Sequence, residues 1–206
     1  MTRVKICGIT RIEDGMAAAQ AGADAIGLVF APASPRRVSA EQAADIAAAL
    51  PPFVSCVALF VDPGAAQVRA VLETFRPDLL QFHGDEPPDF CAAFGLPYLK
   101  AVRVRPGTDL LQYATSYAGA RGLLLDAYHP DSHGGTGQRF DWDLIPRELP
   151  RPVVLAGGLD PDNVAAAVRR VRPWAVDVSS GVEMAKGIKD AGRIARFIRE
   201  VRNADA

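Results

Sequence analysis

Two side chains capable of proton transfer stand at the ends of two short apolar segments of this chain. Residues 3–7 form a strand-like segment that ends at Cys7 and is stopped by Gly8, and residues 122–126 form a second segment that ends at Asp126. A thiol and a carboxyl group that flank one substrate can act as general base and general acid. The pair predicts an enzyme site if both segments end at the same side of the fold.

Each of these residues also has a structural interpretation. A single cysteine is most often a small buried hydrophobe, and Cys7 taken alone favours that interpretation. Lys5 lies in phase with Cys7 along the strand, so both are expected to point inward, where a nearby cation lowers the pKa of a thiol. Asp126 follows three leucines, where a carboxyl group requires a hydrogen-bonding partner or a functional role. We therefore favour a functional role for Asp126.

Three other polar side chains stand where strands are expected to end or to face the interior. The guanidinium of Arg36 matches a carboxylate, although an exposed surface arginine is an equal alternative. His83 is interpreted as a satisfied structural histidine, with substrate contact as the alternative. Asp177 is interpreted as the partner of Lys5 or Arg3 in a structural ion pair, again with substrate contact as the alternative.

Glycine-rich turns follow three of the later segments. Their exposed backbone N–H groups suit an anion, and barrel enzymes often bind phosphate after their last two strands. The predicted phosphate-binding residues are Gly135, Gly157, Gly158, Ser180 and Gly181.

Strand and helix patterns alternate along the whole chain. The predicted strands cover 3–7, 25–30, 54–60, 79–82, 98–102, 122–125, 152–155 and 175–178, with helical patterns between them and after the last. Eight such units predict an α/β fold of the (β/α)8 TIM barrel class, with residues 1–206 as one domain. A doubly wound open sheet is the alternative, but it usually carries a glycine-rich fingerprint after its first strand. The sequence Cys7-Gly8-Ile9-Thr10 is no such fingerprint.

Composition limits the partners and the compartment. The net charge of −1 gives no electrostatic footprint for nucleic acid, and no segment predicts a signal peptide or a membrane span. Three widely spaced cysteines are typical of reduced thiols in the cytoplasm. His129 and His133 have a zinc-like spacing but no Cys-x2-Cys partner, so no metal is expected. The oligomeric state is open, with a monomer favoured.

Several characteristic blocks are spread over nearly the whole length of the chain. The blocks are Lys5-Ile6-Cys7-Gly8-Ile9-Thr10, Ser34-Pro35-Arg36, Phe60-Val61-Asp62, Gln81-Phe82-His83-Gly84, Leu125-Asp126, Gly134-Gly135-Thr136-Gly137 with Phe140-Asp141-Trp142, Leu155-Ala156-Gly157-Gly158-Leu159 with Asn163-Val164, and Asp177-Val178-Ser179-Ser180-Gly181-Val182-Glu183. Together they resemble the phosphoribosylanthranilate isomerase family of tryptophan biosynthesis. One departure is Phe82, where the family usually has leucine.

The resemblance implies an aldose–ketose isomerase that performs an Amadori rearrangement of N-(5-phosphoribosyl)anthranilate without a cofactor. By the family pattern, Asp126 protonates the ribose ring oxygen and Cys7 removes the proton from C2. Arg36 is implied in holding the anthranilate carboxylate, and the glycine-rich turns in holding the phosphate.

Two other functions remain open at this point. A metal-dependent sugar-phosphate epimerase would need several His and Asp ligands at strand ends, where only His83 and Asp126 qualify. A non-catalytic phosphosugar-binding module would keep the glycine turns but has no need of Cys7 and Asp126.

Overall fold

The computed structural model describes residues 1–127 and 140–205. Eight parallel strands pair in chain order, and the eighth pairs with the first to close a barrel. This confirms the predicted barrel class and excludes the open doubly wound sheet. The strands are β1 (Arg3–Cys7), β2 (Ala25–Val29), β3 (Ser55–Phe60), β4 (Leu79–Phe82), β5 (Tyr98–Val104), β6 (Gly122–Ala127), β7 (Val153–Leu155) and β8 (Ala175–Val178).

Helices connect and follow these strands, close to where the periodicity predicts them. Ser39 caps the second helix in a capping box with Gln42, as the spacing of the two residues predicts. The helices are α1 (Ile12–Ala21), α2 (Ala40–Ala49), α3 (Ala65–Thr74), α4 (Pro88–Ala92), α5 (Leu110–Ser116), α6 (Val164–Val171) and α7 (Ala191–Asp205). None of the helices in the described ranges is long and apolar enough to cross a membrane.

The loop after β8 contains structure that the pattern did not predict in full. It begins with a 3-10 helix (Ser180–Val182) and continues into two short antiparallel strands, β9 (Glu183–Ala185) and β10 (Ile188–Lys189). The alternation of strand and helix patterns did not indicate this strand pair. The strand pair brings Lys189 back beside Glu183.

The strands separate two apolar regions. Residues of one phase fill the barrel interior with small and branched side chains, among them Leu99, Leu124 and Val154. Residues of the other phase pack against the helices, where Phe82 contacts several aromatic rings. The phenylalanine at position 82 therefore affects packing behind the sheet and not the interior of the barrel.

The seam between β1 and β8 closes the barrel. Lys5 stands in register with Asp177 across this seam. At the N-terminal end of the same seam, Thr2 donates its backbone N–H and its hydroxyl to Asp205 at 2.6 and 2.8 Å. Sheet pairing thus joins β1 to β8, and hydrogen bonds join the residue before β1 to the end of α7.

Candidate active site

Cys7 lies at the C-terminal end of β1, buried beside a buried ion pair. Lys5 Nζ lies 2.8 Å from Asp177 Oδ1, which confirms the predicted pairing, while Arg3 pairs instead with Asp24 at the surface. Gly27, on the neighbouring strand, leaves room for this arrangement. A Cβ atom at residue 27 would lie 2.8 Å from Cys7 Sγ and 2.9 Å from Lys5 Nζ.

Burial has a larger effect on the pKa of the Cys7 thiol than the neighbouring ammonium group of Lys5 has. Burial raises the pKa of Cys7, and Lys5 opposes that rise without cancelling it. Burial likewise disfavours the charged form of Lys5, but attraction by Asp177 and Cys7 outweighs it, so the pKa of Lys5 is raised. Lys5 favours the thiolate, as its position predicts, but the net effect of the surroundings is to raise the pKa of Cys7.

Asp126 lies at the C-terminal end of β6, and its two oxygens have different partners. Oδ1 accepts a hydrogen bond from the backbone N–H of Ala127 at 2.8 Å, and Oδ2 lies 3.1 Å from Nε2 of His83. The other ring nitrogen of His83, Nδ1, lies 2.9 Å from Nε2 of Gln81. His83 is satisfied at both nitrogens, as its structural interpretation requires, but one of its partners is the candidate acid.

Gly157 keeps the turn after β7 close to Asp126. Its φ of 82° is a backbone conformation that other residues rarely adopt. A Cβ at this position would lie 2.6 Å from the backbone nitrogen of Ala127 and 3.0 Å from Oδ1 of Asp126. The turn predicted to bind phosphate is therefore also part of the wall around the candidate acid.

Arg36 is buried at the loop after β2, which excludes the exposed alternative. Its Nε and Nη2 atoms donate to the two carboxylate oxygens of Glu183 at 2.7 and 2.8 Å. These hydrogen bonds raise the pKa of Arg36. Burial would raise the pKa of Glu183, but the charges and hydrogen bonds of Arg36 and Lys189 outweigh burial and lower it to about 2.

The turns after β7 and β8 touch each other. A Cβ at Gly181 would overlap the carbonyl oxygen of Leu159. Asn163 holds the first turn, since its Nδ2 donates to the carbonyl oxygen of Gly158 at 2.8 Å. Ser180 and Gly181 begin the 3-10 helix, and the first N–H groups of a helix have no acceptor within it. Gly135, the remaining predicted phosphate ligand, lies outside the described residues, as do His129 and His133.

The structure brings the described candidate residues together at the C-terminal ends of the strands. Three of their neighbours were not predicted to belong to the site, namely Gln81, Glu183 and Lys189. Gln81 had a detectable signal, because it shares its strand phase with His83. Glu183 followed the last glycine turn without a sign of its partner, and Lys189 gave no signal at all.

Comparison with known proteins gives a consistent result. The family model described as N-(5′-phosphoribosyl)anthranilate (PRA) isomerase matches residues 4–200. Proteins named N-(5′-phosphoribosyl)anthranilate isomerase from Azotobacter vinelandii and Thiobacillus denitrificans are 59% and 62% identical to the chain. The first alignment covers 98% of both chains, and the second covers 97% of this chain and 98% of the relative.

Solved structures agree with the sequence relatives. The phosphoribosyl anthranilate isomerase of Thermotoga maritima superposes with a TM-score of 0.90 at 41% identity, covering 98% of this chain and all of that one. A further structure of such an isomerase holds reduced 1-(o-carboxyphenylamino)-1-deoxyribulose 5-phosphate. It superposes with a TM-score of 0.87 at 40% identity, with 98% of this chain and 100% of that chain covered.

Proposed function

The chain belongs to the N-(5′-phosphoribosyl)anthranilate isomerase family, and from that premise we propose that Cys7 and Asp126 divide the proton transfers of its reaction. The reaction is an isomerisation in tryptophan biosynthesis, in which an aminoaldose phosphate becomes an aminoketose phosphate. One observation carries the proposal: a buried thiol and a buried carboxyl group stand at the C-terminal ends of β1 and β6 of one closed barrel. That end of a barrel is where such enzymes place their chemistry.

Asp126 acts first, as the general acid. Its proton passes to the ribose ring oxygen, the bond from that oxygen to C1 breaks, and the anthranilate nitrogen supplies the electron pair that forms an iminium at C1. The carboxylate left on Asp126 accepts hydrogen bonds from Ala127 N–H and from His83 Nε2.

Cys7 acts second, as the general base. Its thiolate takes the proton from C2, the C–H electrons form a double bond between C1 and C2, and the iminium electrons return to nitrogen. The enolamine then loses its C2 hydroxyl proton and gains a proton at C1, which gives the ketone. Because burial raises the pKa of the thiol, Lys5 is needed to keep the thiolate accessible.

The two ends of the substrate bind to different parts of the site. We propose that Arg36 holds the anthranilate carboxylate, since a buried guanidinium at this edge of the barrel suits a planar anion. The backbone of Gly157, Gly158, Ser180 and Gly181 would bind the phosphate, together with Gly135, which lies outside the described residues. His83 and Asp177 contribute through their contacts with Asp126 and Lys5.

The substrate is a small molecule, and neither nucleic acid nor a membrane is part of the proposal. Cys7, Cys56 and Cys91 are all free and buried, which fits a reducing compartment. We propose that the protein works in the cytoplasm as a monomer. Analytical ultracentrifugation at micromolar concentration measures that state directly.

The deciding assay uses purified protein and freshly made phosphoribosylanthranilate. Loss of substrate fluorescence at an enzyme-dependent rate is the expected result, and the rate should persist after exhaustive chelation. No turnover would favour the phosphosugar-binding module. Turnover that chelation abolishes and a divalent metal restores would favour the epimerase type of site.

A further inference from the structure

The guanidinium of Arg36 is already held by a carboxylate of the protein itself. Glu183 binds it through two parallel hydrogen bonds, from Nε to Oε1 and from Nη2 to Oε2, and both side chains are buried. Among the described residues, no hydrogen bond involves Nη1. Arg36 therefore has one edge fixed by Glu183 and a second edge open to another acceptor.

A lysine balances the charge of this carboxylate. Lys189 Nζ lies 2.9 Å from Oε1 of Glu183, and its side chain is wholly buried. The same ammonium donates to the carbonyl oxygen of Ser179 at 3.1 Å. The cluster of Arg36, Glu183 and Lys189 thus holds two cations and one anion, a surplus of one positive charge. A buried surplus charge is unfavourable unless an anion pairs with it.

The open edge of Arg36 lies near the candidate base. Its side chain crosses Gly8, where an added Cβ would lie 2.5 Å from Cδ of Arg36. Glu183 makes the largest contribution to the raised pKa of Arg36, and a charge on Cys7 adds a smaller contribution in the same direction. A carboxylate bound at this edge would sit beside Cys7, where the anthranilate end of the substrate has to lie.

We propose that Glu183 is a positioning residue for substrate recognition: it fixes Arg36 through Nε and Nη2, so that Nη1 faces the substrate carboxylate. Lys189 balances the charge of Glu183, so that the positive charge of Arg36 is left for the substrate carboxylate. This inference rests on the proposed role of Arg36. It adds that Glu183 and Lys189, which need not touch the substrate, determine how strongly the carboxylate is recognised.

A matched pair of ligands isolates this recognition. The first is the reduced carboxyphenylamino-deoxyribulose phosphate, the compound bound in a relative. The second is the same compound made from aniline, which lacks the carboxylate. The dissociation constant of the aniline compound divided by that of the carboxylated compound, both measured by titration calorimetry, reports carboxylate recognition without requiring turnover.

Glu183→Gln should lower that ratio by about tenfold, mostly by weakening the carboxylated ligand. Arg36→Met should lower it by about tenfold to a hundredfold, the range for one hydrogen bond to a charged group. The double variant should resemble Arg36→Met alone, because residues that act through one another are not additive.

Glu86→Gln is the matched control. Glu86 is also a buried acid, paired with Lys100 at 2.8 Å, but it lies outside the Arg36 cluster. Its substitution is expected to lower the melting temperature and leave the ligand ratio unchanged. A general effect of removing a buried charge would appear in both glutamate variants.

The outcomes separate the two proposals. If Arg36→Met changes the ratio and Glu183→Gln does not, or if Glu183→Gln weakens both ligands equally, the positioning role is wrong and the role of Arg36 stands. If Arg36→Met leaves the ratio unchanged, both are wrong. Should Glu183→Gln fail to fold, Lys189→Met tests the charge balance, and an unchanged ratio there overturns the proposal.

Discussion

The imidazole of His83 and the carboxylate of Asp126 share a hydrogen bond of 3.1 Å at the C-terminal end of the barrel. Gln81 Nε2, at 2.9 Å, is a donor to Nδ1 of His83, which places the ring proton of a neutral His83 on Nε2. In this tautomer Nε2 of His83 donates to Oδ2 of Asp126 and orients the carboxyl group. Gln81 therefore acts on the acid through the histidine.

Asp126→Asn should lower kcat by about 10²- to 10⁴-fold and change KM little. The amide keeps the shape of the side chain but cannot deliver a proton, and general acid catalysis is typically worth that factor. Steady-state kinetics with phosphoribosylanthranilate measures both constants. Normal kcat with a raised KM would make Asp126 a binding residue, and His83 would become the next candidate for the proton donor.

Cys7→Ala should remove most turnover while the fold survives. The same range of about 10²- to 10⁴-fold applies to loss of a general base. Cys7→Ser should also be poor, because a hydroxyl group is a much weaker acid than a thiol. Circular dichroism establishes folding, and near-normal activity of the alanine variant would reject Cys7 as the base.

Lys5→Met should shift the pH profile of kcat/KM to higher pH. Burial raises the pKa of Cys7 and Lys5 opposes the rise, so removal of the lysine leaves a thiol that ionises only at higher pH. A general base works when deprotonated, and the acidic limb of kcat/KM reports its ionisation in the free enzyme.

Lys100→Met serves as the control for the lysine experiment. It removes another buried lysine, which is paired with Glu86 away from Cys7. The acidic limb of the kcat/KM profile should therefore stay at the same pH. If the acidic limb stays at the same pH in Lys5→Met, Lys5 does not influence the ionisation of the base.

Gly27→Ala should lower kcat strongly, although position 27 bears no functional group. The new methyl group would lie within van der Waals overlap of both Cys7 Sγ and Lys5 Nζ, and these must move apart. Gly64→Ala is the comparison, because a Cβ there meets nothing within 4 Å. Equal activity of the two variants would show that the site accommodates the methyl group.

Inorganic phosphate should compete with the substrate, and Gly181→Ala should weaken that competition. The N–H groups at the start of the 3-10 helix suit an anion, and a Cβ at Gly181 would push this turn away from Leu159. Inhibition constants for phosphate in the two proteins test this. Non-competitive inhibition by phosphate would count against the glycine turns as the phosphate site.

The sequence predicts the end of a helix well where a single capping residue determines it. Gly22, with φ of 95°, ends α1 where the sequence predicts, and Ser39 starts α2. Asp160 followed by Pro161 is a signal for a helix start, and it predicts that α6 begins there. Asp160 and Asn163 instead hydrogen-bond each other's backbone in a turn, and the helix begins only at Val164.

The parts of the site that the sequence could not predict depend on contacts between residues far apart in the chain. Phase along β1 placed Lys5 and Cys7 inside the barrel, but the balance between burial and cation depends on every element packed around them. Glu183 lies 147 positions from its partner Arg36. No periodicity relates two such residues, and only the closed barrel with the strand pair after β8 brings them together.

The seam between β1 and β8 has a consequence for the order of folding. The Lys5–Asp177 pair joins positions 172 apart, so the loop-closure entropy of nearly the whole chain opposes it. Contacts of such high sequence separation form slowly. Lys5 lacks its partner Asp177 until β8 pairs with β1, and Glu183, which fixes Arg36, follows β8 in the chain. Recovery of activity during refolding should report closure of this seam, later than the recovery of helical signal.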